Sequence, residues 1–364
     1  MNTAFNAQAS GRKLACIALG PVLRIVCLMV LGALVNGCGG GSSSSGGSTT
    51  STSSTSSTGS ATTSTTTGGT STTQAALPAC QERTVTSGKA SGSTALTPGG
   101  TRVRLATSTD GATFIRTGLT VLDQAATPSL LMSRDGLPYL YVTAHQADGV
   151  RDGVAVSIGS ADGTTWKHCR LAFTGMPDGV AAVDPDVVTR SDGSYRMFFT
   201  GGLSAVSSLR VIHYADSNDG LTWTYRGVAF QMATSVLDSI TFEAGGAWHM
   251  YALEGSGGAM ARARSSDGAV FSFADRSERR MAGQVYVISQ ARQLGGATRL
   301  FAFGPNGQVI RSFSTTDGST LQAGTVDHLT YSAQEAQESQ FIKDPAVALL
   351  RSGAVLMAYA TAIP

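Results

Sequence analysis

From about residue 101 to the C-terminus, short apolar runs alternate with polar turns, and the alternation repeats. One unit is an apolar strand, a polar turn and a second apolar strand. It reads Thr127-Pro-Ser-Leu-Leu-Met-Ser-Arg-Asp-Gly-Leu-Pro-Tyr-Leu-Tyr141, then Asp184-Pro-Asp-Val-Val-Thr-Arg-Ser-Asp-Gly-Ser-Tyr-Arg-Met-Phe-Phe199. Looser copies begin at Asp238-Ser-Ile-Thr-Phe242 and near Ser289-Gln-Ala-Arg292. The last is Asp344-Pro-Ala-Val-Ala-Leu-Leu350, continuing through Val355-Leu-Met-Ala-Tyr359. Runs this continuously apolar predict strands buried on both faces.

A second unit keeps step with the first. Ser108-Thr-Asp110-Gly-Ala-Thr-Phe114, Ser160-Ala-Asp162-Gly-Thr-Thr-Trp166, Ser217-Asn-Asp219-Gly-Leu-Thr-Trp223, Ser265-Ser-Asp267-Gly-Ala-Val-Phe271 and Thr315-Thr-Asp317-Gly-Ser-Thr-Leu321 place their aspartates 52, 57, 48 and 50 residues apart. Asp-Gly supplies the positive φ that a tight hairpin needs, and a hydroxyl two residues earlier can bond the turn backbone. These aspartates are expected to be structural, with the following aromatic packed between sheets. A period near 50 built from strands and turns predicts an all-β, five-bladed β-propeller. Four inner hairpins are followed by an outer one; the fifth, at the C-terminus, has none. Residues 101–122 supply an outer hairpin with no inner one before it. Pairing the two would close the ring and leave no open edge. The propeller is expected over residues 77–364.

The first 76 residues differ in kind. Arg12, Lys13 and Arg24 precede the apolar run Ile25–Val35, which is short for a bilayer span and has the layout of a secretory signal. Leu34-Val-Asn-Gly-Cys38 resembles a bacterial lipoprotein processing site. That resemblance implies a signal peptide over 1–37 and lipid on Cys38, hence a membrane partner through the anchor. Gly39 lacks the aspartate associated with inner-membrane retention, so in a Gram-negative host the outer membrane is expected. Residues 38–76 are almost wholly Ser, Thr and Gly and read as a flexible tether. About 35 such residues reach roughly 30–35 Å.

Export leaves Cys80 and Cys169 as the thiols of the folded part, and outside the cytosol two thiols most simply form one disulfide. Net charge is +2 with dispersed Arg and Lys, so nucleic acid is not an expected partner. The five histidines show no metal-ligand spacing, and no cofactor motif is present. The chain is expected to be a monomer.

Propellers take ligands where the inner strands begin. Here those positions are Thr127, Asp184, Asp238, Ser289 and Asp344. Acids crowded into one funnel raise each other's pKa, which is how paired carboxylates divide acid and base roles. A strand-start Asp-Pro can equally be a turn cap. Asp184 begins the fullest copy. Asp184-Pro-Asp-Val-Val-x-x-x-Asp-Gly-Ser-Tyr-Arg-Met-Phe-Phe-Thr-Gly201, with Tyr214-Ala-Asp-Ser-Asn-Asp-Gly-Leu-Thr-Trp223, resembles the five-bladed glycosidase superfamily of glycoside hydrolase families 43 and 32. The Asp-Gly turns are also similar to sialidase Asp-boxes, one residue shorter between Asp and Gly. The family resemblance implies a base Asp in blade one, a modulating Asp in blade two and an acid Glu in blade three. Asp184 matches the second. Thr127 stands at the first, with Asp123 four residues upstream, and Asp238 replaces Glu at the third. Asp344 is an extra carboxylate.

Two readings follow: a glycan-processing hydrolase using Asp184, Asp238 and either Asp344 or Asp123, or a non-catalytic propeller that binds a glycan or a protein. A charge-lined channel with a deep pocket favours the first, and a channel plugged by apolar side chains the second.

Overall fold

The computed structural model describes residues 76–204, 207–255, 259–277 and 279–364; the signal, Cys38 and nearly all of the tether lie outside them. Five antiparallel sheets stand around one axis as the blades of a propeller. Blade one contains Ala125–Met132, Pro138–Ala144, Gly153–Gly159 and Trp166–Arg170, from the axis outward. Blade two contains Val183–Thr189, Tyr195–Gly202, Arg210–Ser217 and Thr222–Phe230. Ala172–Thr174 adds parallel to its outer edge. Val236–Ala244, Ala247–Glu254, Met260–Ser265 and Ser272–Ser277 form blade three. In blade four, Val287–Leu294, Ala297–Phe303 and Val309–Thr315 are flanked by the short Gln322–Ala323 and Leu329–Thr330.

Blade five is built from both ends of the chain. Ile342–Leu349 and Val355–Ala362 supply its inner half, Thr101–Ser108 and Ile115–Asp123 its outer half. Thr101 to Ser108 pair in unbroken register with Ala362 to Val355. The strand that the C-terminal hairpin would otherwise expose is therefore covered. Each gap between neighbouring blades holds an apolar cluster. Leu140 meets Leu356 between blades one and five, and Phe301 meets Tyr359 between four and five.

The Asp-Gly turns explain how neighbouring blades are held. The Ser217 hydroxyl accepts from the Gly220 amide at 2.8 Å, and Asp219 Oδ1 accepts from the Leu221 and Thr222 amides at 2.8 and 2.7 Å. The same pattern recurs around Asp110 and Asp317. The turn's glycine carbonyl then accepts from the preceding blade. Tyr141 donates to Gly220 (2.9 Å), Arg196 to Gly268 (2.8 Å), Tyr251 to Gly318 (3.0 Å) and Arg299 to Gly111 (3.1 Å). Aromatic residues of the turns pack edge-to-face across the same gaps: Phe114 on Phe301, Trp223 on Tyr141 and Phe271 on Phe198.

Cys80 and Cys169 are joined by a disulfide, with Cα atoms 5.8 Å apart. Arg83 and Arg170 amides bond to the carbonyls of His168 and Gln81, laying the N-terminal lead-in along the outer strand of blade one. Among the described residues, no helix is long and apolar enough to cross a membrane.

Candidate active site at the channel mouth

Every inner strand carries one extra residue where it begins. The register slips between Ala126 and Ser129, Val183 and Asp186, Leu237 and Ile240, Ile288 and Gln290, and Lys343 and Ala346. Such β-bulges re-aim side chains. In four blades the bulge residue has a positive φ: 46° at Thr127, 52° at Asp184, 50° at Asp238 and 52° at Asp344. Aspartate tolerates this region better than most residues; a β-branched threonine is an outlier there. The same backbone device thus presents Thr127, Asp184, Asp238 and Asp344 at equivalent places around the mouth.

Two of the bulge amides are satisfied from the neighbouring blade. Asp184 N donates to Thr143 Oγ1 at 2.7 Å and Asp238 N to Thr200 Oγ1 at 3.2 Å. Thr127 bonds Thr143 through their hydroxyls at 2.7 Å.

Asp184 and Asp238 hydrogen-bond to each other through their carboxyls. A sliver of each surface meets solvent, but protein surrounds both groups and desolvation governs them. Burial pushes Asp238 well above the ordinary carboxylate range, and the charges of Asp184 and Asp344 push it further, against the pull of Lys343. Burial also raises Asp184, with its bonds to Thr200 and Asp238 opposing the rise. Two buried carboxyls in contact oppose each other's ionisation. Lys343 Nζ lies 3.3 Å from Asp344 Oδ2, an oxygen that has no well-formed hydrogen bond. Facing Asp344, Asp238 and Asp184, the ammonium holds its proton above the ordinary lysine value despite burial.

Asp123 is placed elsewhere. It ends the outermost strand of blade five. Both its oxygens are taken by Arg102, at 2.8 and 3.1 Å, and Gly88 N adds a bond of 2.6 Å. Lys343 was not legible as a site residue, although it directly precedes Asp344. The histidines have structural partners: His213 bonds Tyr225 and Gly202, and His328 bonds Ala112 and Ser312. Among the described residues, no group of three or more His, Cys, Asp or Glu is arranged to hold a metal ion.

Below the mouth the channel is closed by polar groups. Inner strands are edge strands whose outward N–H and C=O groups need partners. Ser129 Oγ accepts from Val187 N (3.0 Å), Asp186 Oδ2 from Thr241 N (2.6 Å) and Gln290 Oε1 from Val347 N. Gln290 and Arg292 donate across the axis to Leu130 O at 3.0 and 2.6 Å. Burial raises Asp186 to about 6, with Arg292 opposing the rise. Ser129 and Asp186 interrupt otherwise apolar strands two residues after the bulge, a signal readable in Thr127-Pro-Ser129 and Asp184-Pro-Asp186. A cavity of about 650 Å³ opens at the far end of the channel, beyond this plug and away from the carboxylates.

No protein-family model matches the chain, and no curated protein matches it. Solved structures do share its fold. A thermostable family-43 glycoside hydrolase superposes with a TM-score of 0.51 at 12% identity, over 65% of this chain and 88% of the other. An N-acetylgalactosamine deacetylase from F. plautii, in complex with blood group B trisaccharide, gives 0.50 at 11% identity over 68% and 81%. At such identities the likeness establishes the five-bladed fold alone.

Proposed function

We propose that this protein is an exported, lipid-anchored propeller that hydrolyses glycans at the channel mouth. The observation that carries this reading is the buried Asp184–Asp238 pair, whose ionisation burial opposes, beside the Asp344–Lys343 pair. Asp238 keeps the proton that protonates a glycosidic oxygen, Asp184 raises and orients it, and Asp344 receives a proton from the attacking water. An inverting reaction keeps its two carboxyls about 6.5–9.5 Å apart to admit that water. Asp184 and Asp238, in hydrogen-bond contact, therefore serve as one partner and Asp344 as the other. Support also comes from the neighbours of this fold, which include a glycoside hydrolase and a protein holding a trisaccharide. Anchoring at Cys38, and the outer membrane as its place, rest on the sequence of the first 76 residues.

Thr127 favours a second reading, a glycan-binding propeller without turnover, because it cannot serve as a base. A panel of aryl-glycosides and oligosaccharides separates the two. Turnover by the wild type that is lost in Asp184→Asn and Asp238→Asn, with folding intact, supports hydrolysis. Binding without turnover supports the second reading, and full activity in both variants refutes the carboxylate mechanism.

A further inference from the structure

We propose that the far end of the channel is a second binding site, distinct from the carboxylate mouth, for a neutral saccharide. All five blades line its cavity, from Leu131 and Met132 in blade one to Leu349 in blade five. A volume of about 650 Å³ lies within the range of cavities that bury small molecules. Three to four residues of inner strand, at about 3.3 Å each, separate its first lining residues from the bulge residues of the mouth, roughly 10–13 Å. The Gln290 and Arg292 bonds to Leu130 close the passage between them.

The chemistry of the walls selects the ligand. Trp248 lines the large cavity and also a contiguous recess of about 210 Å³. Its indole packs on Gly268, where a Cβ would approach Cδ2 to 2.7 Å, so the bare glycine makes the room for the ring. Arg190, Ser191, Arg196, Glu243 and Asp267 line the recess. An aromatic surface bordered by planar hydrogen-bonding side chains of both signs suits a ring with an apolar face and a rim of hydroxyls. Arg292 presents no bare cation to the cavity. It faces Asp186 and donates to the carbonyls of Leu130, Val187 and Ala291. In the recess Arg196 is held by Asp216 and Arg190 faces Asp192, so an anion gains little from these cations and a neutral sugar is favoured. The exposed Glu243, at the rim and shared by both cavities, is the acceptor that reads a hydroxyl pair.

The chain has three tryptophans, so ¹⁵N-tryptophan labelling gives three indole signals, assignable through Trp166→Phe and Trp248→Phe. Cellobiose, lactose, xylobiose and chitobiose serve as probes. At least one is expected to shift the Trp248 signal saturably. Glu243→Gln should weaken that binding about fivefold, one hydrogen bond's worth. The Asp184→Asn/Asp238→Asn double variant should retain it, which keeps this site's fate separate from that of the mouth. No Trp248 shift with any probe up to its solubility overturns the proposal. So does a shift that vanishes in the double variant, an affinity unchanged by Glu243→Gln, or a site that responds to an apolar dye and to none of the sugars.

Discussion

At the scale of the residue, the mouth is governed by a conflict between backbone and charge. A positive φ and a bulge aim Asp184, Asp238 and Asp344 at one funnel, where burial opposes the ionisation of Asp184 and Asp238. Asp238 shows what this costs. Below the unfolded-chain value of about 3.9, both states are protonated and the side chain carries no penalty. As pH rises toward its raised folded value, the unfolded chain releases its proton more readily than the folded one, and stability falls. Asp238→Asn keeps a donor toward Asp184, tolerates the positive φ and removes the titration. At pH 7 it is expected to raise the melting temperature by roughly 2–4 °C, on the order of 1 kcal/mol. That gain should shrink toward zero near pH 4. A variant that melts below the wild type at pH 7 would mean that Asp238 is a turn cap. The sequence made the three acids visible as strand starts. It did not reveal that Asp184 and Asp238 touch, because the contact depends on how two blades pack. Nor did it show that Arg102 claims Asp123, a pairing across two strands of blade five.

At the scale of the element, the Asp-Gly turn is a staple between blades as much as a hairpin end. Its local chemistry was legible, because Ser or Thr, Asp and Gly act on their own backbone within a few residues. The donor from the preceding blade was not, since it is Tyr141 in one gap, Arg196 in the next, then Tyr251 and Arg299. Different side chains reach one carbonyl from equivalent strands, leaving no repeated letter to find. Gly318 tests the staple. Its φ is +70°, and a Cβ there would lie 2.3 Å from His249 Cδ2 in the neighbouring blade. Gly318→Ala should cost about 1–3 kcal/mol in chemical denaturation. A loss below a few tenths would show that the turn ends its own hairpin and does nothing for the ring. The polar plug has the same character. Ser129, Asp186 and Gln290 answer edge amides that exist only once five inner strands face a common axis.

At the scale of the whole molecule, closure was the most legible property, because an orphan half-blade at each end admits few arrangements. A chain starting after Leu122 should lose the partner of Val355–Ala362, a strand buried along its whole length, and aggregate. A soluble truncated monomer of unchanged stability would contradict that. Closure also sets the two ends of the channel apart: acids gather where the inner strands start, and aromatic and apolar walls where they finish. The functional account rests on the acidic end holding a proton that ordinary carboxylates would have released. Carbon-13 NMR of the aspartate carboxyls, assigned through Asp184→Asn and Asp238→Asn, measures this directly. The account predicts a coupled titration in which one carboxyl of the pair keeps its proton far above the ordinary value of about 3.9. It also predicts that Asp184→Asn lowers the apparent pKa of Asp238. Two independent titrations at ordinary values, each indifferent to the other's substitution, would contradict it.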